Sequence, residues 1–322
     1  MFHGFYADDE SVAYSSEGKH LAVSSFARLL GLLKRHFQPI HLRELIASLR
    51  NGAPLPPNAL VLTFDDGYES NFRVAYPLLM KVQVPATIFL ATEFVDENTP
   101  MWTERLEFAL ARSSKDHLIL PSAEEDKPIS LATPSERATA LGKVKKILKS
   151  LPHPELLNQV DALEDQLGVR LTRGDLLPYQ RSLNWDQCRE MADSGLVDFG
   201  GHTHSHCILG RVEPDLARKE IQTCRRIIED RLNIDGGLFC YPNGKPGDYS
   251  EICAKSLSEE GYSCALTTEE GYVNRDSDPY ALHRIGISDR DDPKWTLLQA
   301  TGSLPRLKRL LGRMQTAEKE AL

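Results

Sequence analysis

The 322-residue chain has no C-x-x-C pair, no apolar run near the roughly 18 residues of a membrane span, and no basic-then-apolar leader. Its amino terminus, Met1-Phe2-His3-Gly4-Phe5-Tyr6, runs straight into Asp8, Asp9 and Glu10. The first lack excludes a zinc knuckle or redox pair, the second a membrane-spanning helix, and the third leaves no export signal to read. On these grounds a soluble, cytoplasmic protein is expected. Cysteine is missing from the first half altogether, and Cys188, Cys207, Cys224, Cys240, Cys253 and Cys264 all follow it. A chain this long needs no covalent staples, so they read as reduced, mostly buried thiols. Cationic excess is also lacking: Lys+Arg 38 against Asp+Glu 46 leaves a net charge of -8. That argues against a nucleic-acid binder, which must neutralise phosphates, and makes an uncharged or cationic substrate the better fit.

What is present is an ordinary globular composition, 41% hydrophobic and 26% charged. Length alone allows two domains, but α/β barrels run to about 250 residues as one unit, so one barrel with an insertion is expected. Phe26, Leu29, Leu30, Leu33 and Phe37 recur at helical spacing over residues 24–37, and a second short helix spans 42–49. Pro54, Pro56 and Pro57 then force an extended connection into the apolar run 59–64, a buried strand that ends in carboxylates. Helix 68–81, strand 86–91, helix 185–193, strand 196–200, helix 214–232, strand 238–241, helix 249–260 and strand 263–267 continue the alternation. This is the pattern of an α/β fold with a mainly parallel sheet. From about residue 101 to 181 the alternation gives way to helical segments with polar linkers, read as a helical insertion. Residues 304–314 place Leu304, Leu307, Leu310, Leu311 and Met314 on one side of an amphipathic helix. It suits packing on its own domain or on a partner better than contact with a membrane surface.

Two segments carry chemistry. In Thr63-Phe64-Asp65-Asp66-Gly67, paired carboxylates stand at a strand end, where the loops of a parallel sheet face one crevice. Alone, this reads as a plain Asp-Asp-Gly turn, or as a cation site in which one carboxylate is ligand and its neighbour a base. In Gly200-Gly201-His202-Thr203-His204-Ser205-His206, three of the ten histidines crowd into five positions after a strand. His202 and His206, four apart, can share one side in a helical or turn-like backbone, while His204 points elsewhere. Together the segments offer Asp66, His202 and His206, a set that leaves a divalent cation an open position, which predicts metal-assisted hydrolysis.

These residues resemble the polysaccharide deacetylases with a NodB-type domain, carbohydrate esterase family 4. The likeness rests on Thr-Phe-Asp-Asp-Gly at 63–67, His-Thr-x-Ser-His at 202–206, and Phe239-Cys240-Tyr241-Pro242-Asn243-Gly244 as a third motif. His3-Gly4 and the segment Tyr280-Ala281-Leu282-His283-Arg284-Ile285-Gly286 extend it over residues 2 to 290. The resemblance implies an α/β fold, a distorted (β/α)7 barrel of residues 1–300 interrupted by the insertion; the apolar spacing adds residues 301–322 as a C-terminal amphipathic helix. It implies a divalent metal ion, expected to be zinc, on Asp66, His202 and His206, with Asp65 as general base. It also implies an oxyanion held by the metal and a backbone N–H at Asn243. The substrate class would be an N-acetylated amino-sugar glycan or precursor.

The chain departs from the family pattern at three places. Cys240 stands where the third motif has an arginine that orients the base, and Arg284 is the candidate to supply that guanidinium from another strand. The late Leu-x-His motif that would furnish the acid is reduced to Leu282-His283, leaving His283 or His3 for the role. Two residues before His3 are too few for a normal buried strand, which points to a chain start upstream. Trp102, Trp185 and Trp295 offer faces for sugar rings or fill the core. Trp185, Tyr241 and His3 are assigned to the substrate, and the 245–249 loop, with Asp248 as a helix cap, is placed beside the crevice. Two other readings use the same residues: an amidase on a cyclic ureide or imide, and a non-catalytic member that binds carbohydrate or protein.

Overall fold

A computed structural model describes residues 1–9, 18–120, 128–289 and 292–302. Six strands, β1 (Thr63–Phe64), β2 (Ala86–Leu90), β3 (Val197–Gly201), β4 (Leu238–Cys240), β5 (Cys264–Glu270) and β6 (Leu282–Arg284), form one sheet in sequential order. Every pairing within it is parallel. Sequential parallel neighbours, all but β5 and β6 joined by helical crossovers, curl one way, and the curl brings β1 towards β6.

The first residues span the gap between those edges. Phe2 bridges to Phe64 in parallel, its N–H donating to the Thr63 carbonyl and its carbonyl accepting from the Asp65 N–H, both at 2.9 Å. On the other side the Met1 nitrogen donates to the Ile285 carbonyl at 2.9 Å, and the Ile287 N–H to the Met1 carbonyl at 3.2 Å. The result is the expected distorted (β/α)7 barrel. Phe2, Phe5, Phe26 and Phe64 pack at this seam, with Phe5 and Phe26 ring centroids 4.5 Å apart.

The helix Val23–His36 buries Phe26, Leu29, Leu30 and Leu33 along one stripe and ends in Lys34, Arg35 and His36, which favour its negative end. Two expected elements come out differently. The run 59–64 is not one strand: Ala59–Leu60 pairs with Gln38–Pro39 in a separate small sheet, and only Thr63–Phe64 joins β2. The helix 68–81 divides into a wide π-type turn at Asn71–Ala75 and a regular helix Tyr76–Val82. Pro77 has no N–H to continue the regular ladder, and the backbone before it opens by one residue.

Between β2 and β3, the helices Trp102–Arg112, Pro134–Leu148 and His153–Leu167 pack round their own apolar cluster, which includes Leu106, Leu110, Val144 and Val160. A Thr133–Glu136 capping box opens the second helix, and a buried Lys145–Glu107 pair at 2.6 Å ties it to the first. Glu104 anchors this unit to the barrel, accepting from Lys19 Nζ at 2.5 Å and from the Tyr68 hydroxyl at 2.6 Å. All six cysteines are buried and form no disulfide. The amphipathic segment 304–314 lies outside the described residues.

Candidate active site

Asp65 and Asp66 follow β1 directly, and the backbone turns sharply there: Asp66 has φ +77° and Gly67 φ +90°. A left-handed aspartate is uncommon, and the glycine next to it is required, since a Cβ would meet a Leu90 methyl at 2.8 Å. The turn throws the two carboxylates in different directions. Asp66 meets the loop after β3, where His202 Nε2 lies 3.5 Å and His206 Nε2 3.3 Å from its Oδ1. That loop is not helical. Thr203 and His206, at φ +59° and +58°, wind it so that residues four apart face the same carboxylate. Glu220 cradles the loop, accepting from the His204 and Ser205 N–H groups at 2.9 and 2.8 Å and from the Ser205 hydroxyl at 2.9 Å. His204 turns away to Thr92, at 2.9 Å.

This donor set fits a divalent cation. The ligand atoms of Asp66, His202 and His206 lie within 4.8 Å of one another. His202 Nδ1 lies 2.7 Å from the Cys240 carbonyl, a contact that would keep a proton on that nitrogen and free Nε2 as a lone pair when a cation takes the place between it and Asp66. Two imidazoles and one carboxylate match the ligand chemistry of a catalytic zinc site with open positions. Burial would raise the Asp66 pKa, but hydrogen bonds to His202 and His206 hold it well below the ordinary carboxylate range.

Asp65 faces a different partner. Arg284 Nη1 and Nη2 each donate to one carboxylate oxygen at 2.8 Å, a two-pronged grip. The guanidinium is itself fixed: Nε donates to the Thr267 carbonyl at 2.7 Å, Nη1 to the Thr63 hydroxyl at 3.1 Å, and Nη2 to Cys240 Sγ at 2.9 Å. Cys240 occupies the space beside the ion pair, with its sulfur 3.6 Å from Asp65 Oδ2. Desolvation pushes the Asp65 pKa up, and the adjacent Arg284 overrides it and holds the group down to about 2.

A cavity of about 360 Å³ lies over these groups, and His3 and Asn243 line it with Asp65, Asp66, His202 and His206. His3 Nδ1 is buried without a hydrogen-bond partner among the described residues. Asn243 sits in the left-handed region at φ +60°, its side chain donating to Asp248. Three expected site residues are elsewhere. His283 is exposed on the opposite side of β6 from buried Arg284, because successive strand residues face opposite ways. The same alternation after Cys240 sends Tyr241 into the outer core, stacked on Tyr249 at 4.4 Å with its hydroxyl donating to the Tyr280 carbonyl. Trp185 packs in the main core and donates to Asp96 at 2.7 Å, so it offers no face to a sugar. Of the three tryptophans, Trp102 from the insertion lines the cavity. Asp248 does not cap the following helix; Ser250 does, while Asp248 accepts from the Lys245 N–H at 3.0 Å. Glu220, Lys149 and His153 had no motif to mark them, since each reaches the site from a helix or turn remote in sequence.

The family model for polysaccharide deacetylase matches residues 52–265. The chain belongs to this family. Among curated members it is similar to the putative polysaccharide deacetylase YxkH of Bacillus subtilis (strain 168), 22% identical over 252 residues, which are 78% of this chain and 60% of that one. The poly-beta-1,6-N-acetyl-D-glucosamine N-deacetylase of Escherichia coli (strain K12) is 38% identical over 65 residues, 20% of this chain and 10% of that one. The match thus spans 60% of the length of the first relative and 10% of the second, less than two thirds of either. Among solved structures, the Streptococcus pyogenes deacetylase PplD in complex with acetate aligns with a TM-score of 0.61 at 17% identity, over 93% of this chain and 96% of that one. IcaB from Ammonifex degensii aligns at 0.57 and 17% identity, over 92% and 97%. Both likenesses are of fold. In this deacetylase-family chain the matched region ends before β6, so Arg284 falls outside it.

Proposed function

We propose that the protein is a metal-dependent N-deacetylase acting on an N-acetylated amino-sugar glycan or glycan precursor. The observation that carries this reading is one buried turn presenting Asp66 to two converging imidazoles and Asp65 to a separate, arginine-held position. Asp66, His202 and His206 would hold the divalent cation, zinc by the character of the donors, which when bound polarises the acetamide carbonyl and acidifies water. Asp65 is the general base: ionised over the working pH range, it accepts the proton of the attacking water. Arg284 is its positioning residue, fixing both carboxylate oxygens. Asn243, on the cavity wall, would supply a backbone N–H to the oxyanion. His3 takes the acid role that outward-facing His283 cannot fill. Burial lowers the His3 pKa, so its ring is neutral at rest and would act as the acid by taking up a proton during the reaction and passing it to the departing amine.

Replacing Asp65 by Asn tests the assignment. Acetate release from N-acetylated oligosaccharides should fall by roughly 10²–10⁴-fold while elemental analysis shows the metal retained. A pure binding protein would bind its sugar unchanged. Acetamide turnover against cyclic imide turnover, on one panel, separates the deacetylase from the amidase reading.

A further inference from the structure

Met1 and Phe2 bridge β1 and β6 at the level of the site, and a second cavity, of about 370 Å³, borders that bridge. Its wall is predominantly apolar. Leu33 and Phe37 come from the helix Val23–His36 and its end, Leu60 and Leu62 from the segment entering β1, and Leu282 and Ile285 from β6 and its exit. Met1 and Arg284 reach it from the side of the site. A space of this size is far beyond the voids that packed interiors leave, and apolar walls hold water poorly.

The rim has the same character. Six large apolar side chains are exposed among the described residues, and three of them, Tyr272, Trp295 and Leu298, belong to the segments that border this cavity. The helix Pro293–Ala300 turns Thr296 and Ala300 to the cavity and leaves Trp295 and Leu298, three apart, on its open side. Thr296 Oγ1 is buried at the wall without a hydrogen-bond partner among the described residues.

The chain leaves that helix beside the cavity. Gly302, at φ +67°, ends it in a left-handed turn, its N–H donating to the Gln299 carbonyl at 2.9 Å. The Tyr272 hydroxyl donates to the same carbonyl at 2.6 Å, and a Cβ on Gly302 would meet the Tyr272 ring at 3.6 Å. Two residues later the stripe Leu304, Leu307, Leu310, Leu311 and Met314 begins, with Arg306, Arg309 and Arg313 spaced for the other side of a helix. Two residues of extended chain span about 7 Å, so the stripe starts within reach of the rim. A segment tethered this closely meets its site at an effective concentration in roughly the millimolar range, above that of any free partner at ordinary dilution.

We infer that residues 304–314 dock on this cavity, the apolar stripe seated against Tyr272, Trp295 and Leu298 and filling the space beside β6, with the arginines left to solvent. Of the two packing partners the stripe allowed, this selects the chain's own domain. The docked segment would back the cavity wall that includes Arg284. The inference is independent of the deacetylase reading.

Trp295 reports on the contact. Trp102 and Trp185 are 7% and 9% exposed against 46% for Trp295, so acrylamide quenching of the full chain, with Trp295→Phe as the blank, isolates its fluorescence. Leu307→Asp combined with Leu311→Asp in the full chain should raise the Trp295 quenching constant about twofold or more and lower the urea midpoint, as apolar cover is lost. Arg309→Gln combined with Arg313→Gln, on the other face, should change neither. Equal quenching in the parent and in the Asp pair overturns the inference, as does a response shared by both pairs of substitutions. Should circular dichroism show the Asp pair unfolded, the parent alone decides: a Trp295 quenched as readily as in the urea-unfolded chain overturns the inference, and a protected one upholds it. Protection that grows with protein concentration would assign the cavity to a second copy. Protection that requires added anionic phospholipid vesicles would assign it to a lipid surface. Either of these also overturns the docking of the chain's own segment.

Discussion

Arg284 and Asp65 lie 219 positions apart in sequence and meet through two 2.8 Å hydrogen bonds in a fully buried setting. Such a pair is costly to desolvate, and its worth here is geometric: both carboxylate oxygens are held, so the face left to substrate has one orientation. Cys240 makes this arrangement sterically workable, because a thiol leaves room for a guanidinium arriving from β6 where a longer side chain would not. Arg284→Met should therefore lower kcat by about 10²-fold or more through misplacement of the base. It should also cost roughly 3–5 kcal/mol of stability by leaving a buried carboxylate unpaired. Arg284→Lys keeps the charge but loses the fork, and is expected to recover stability better than rate. Acetate release with a parallel denaturant titration reads the two effects separately, and a Lys variant as active as the parent would remove the positioning role. Strand alternation also settles the neighbours. Once Arg284 points inward, His283 must point out, and once Cys240 faces Asp65, Tyr241 cannot. That parity was available from the sequence and is what rules out His283 and Tyr241 as site residues.

At the scale of elements, the 202–206 loop depends on a helix it does not touch in sequence. Glu220, on the helix Pro214–Leu232, takes three hydrogen bonds from residues 204 and 205, between the two histidines that face Asp66. Removing its charge without changing its shape loosens the spacing of those imidazoles while leaving both in place. Glu220→Gln should weaken metal binding by about 10–100-fold, measured by chelator competition, with circular dichroism unchanged. Unaltered affinity would show that the two left-handed residues of the loop hold its shape alone. The contrast with Asp66, His202 and His206 explains what could be read in advance. Those three belong to short local motifs, where residue type and spacing survive in a single sequence. Glu220, Lys245 and the partner of Lys19 are defined by tertiary approach, which periodicity does not report. Helix spans were legible because apolar spacing dictates them: residues 185–193 and 214–232 match the structure. The split of 59–64 was not, since both halves are equally apolar and only the partner strands distinguish them.

For the molecule as a whole, the seam between barrel and insertion makes stability depend on pH. His20 is buried beside Tyr68 and Tyr179, and its Nδ1 has no hydrogen-bond partner among the described residues. Desolvation, with Lys19 adjacent, lowers its pKa to about 3 from an ordinary 6.5. Below pH 6.5 the unfolded chain takes up a proton that the folded ring refuses, so stability declines with falling pH down to about 3. Glu104 adds a second step. Burial would raise its pKa, but Lys19 overrides burial and holds it down to about 2, so the stability it contributes is complete above 4.5 and is lost as pH falls towards 2. Both groups act in one direction, and Asp65 extends the lower part of the range. The urea midpoint should accordingly drop continuously from about pH 6.5 to 3, a wider span than carboxylates alone would give. His20→Gln should flatten the profile between about pH 6.5 and 4.5 and make it shallower below that, where the slope supplied by Glu104 and Asp65 remains. Glu104→Gln should leave the upper part unchanged and make the part below about pH 4.5 shallower, while lowering stability at neutral pH, because it leaves the Lys19 ammonium buried against a neutral amide. A His20→Gln profile that still falls as steeply between about pH 6.5 and 4.5 would move the proton uptake to another buried histidine, His3 being the next in line.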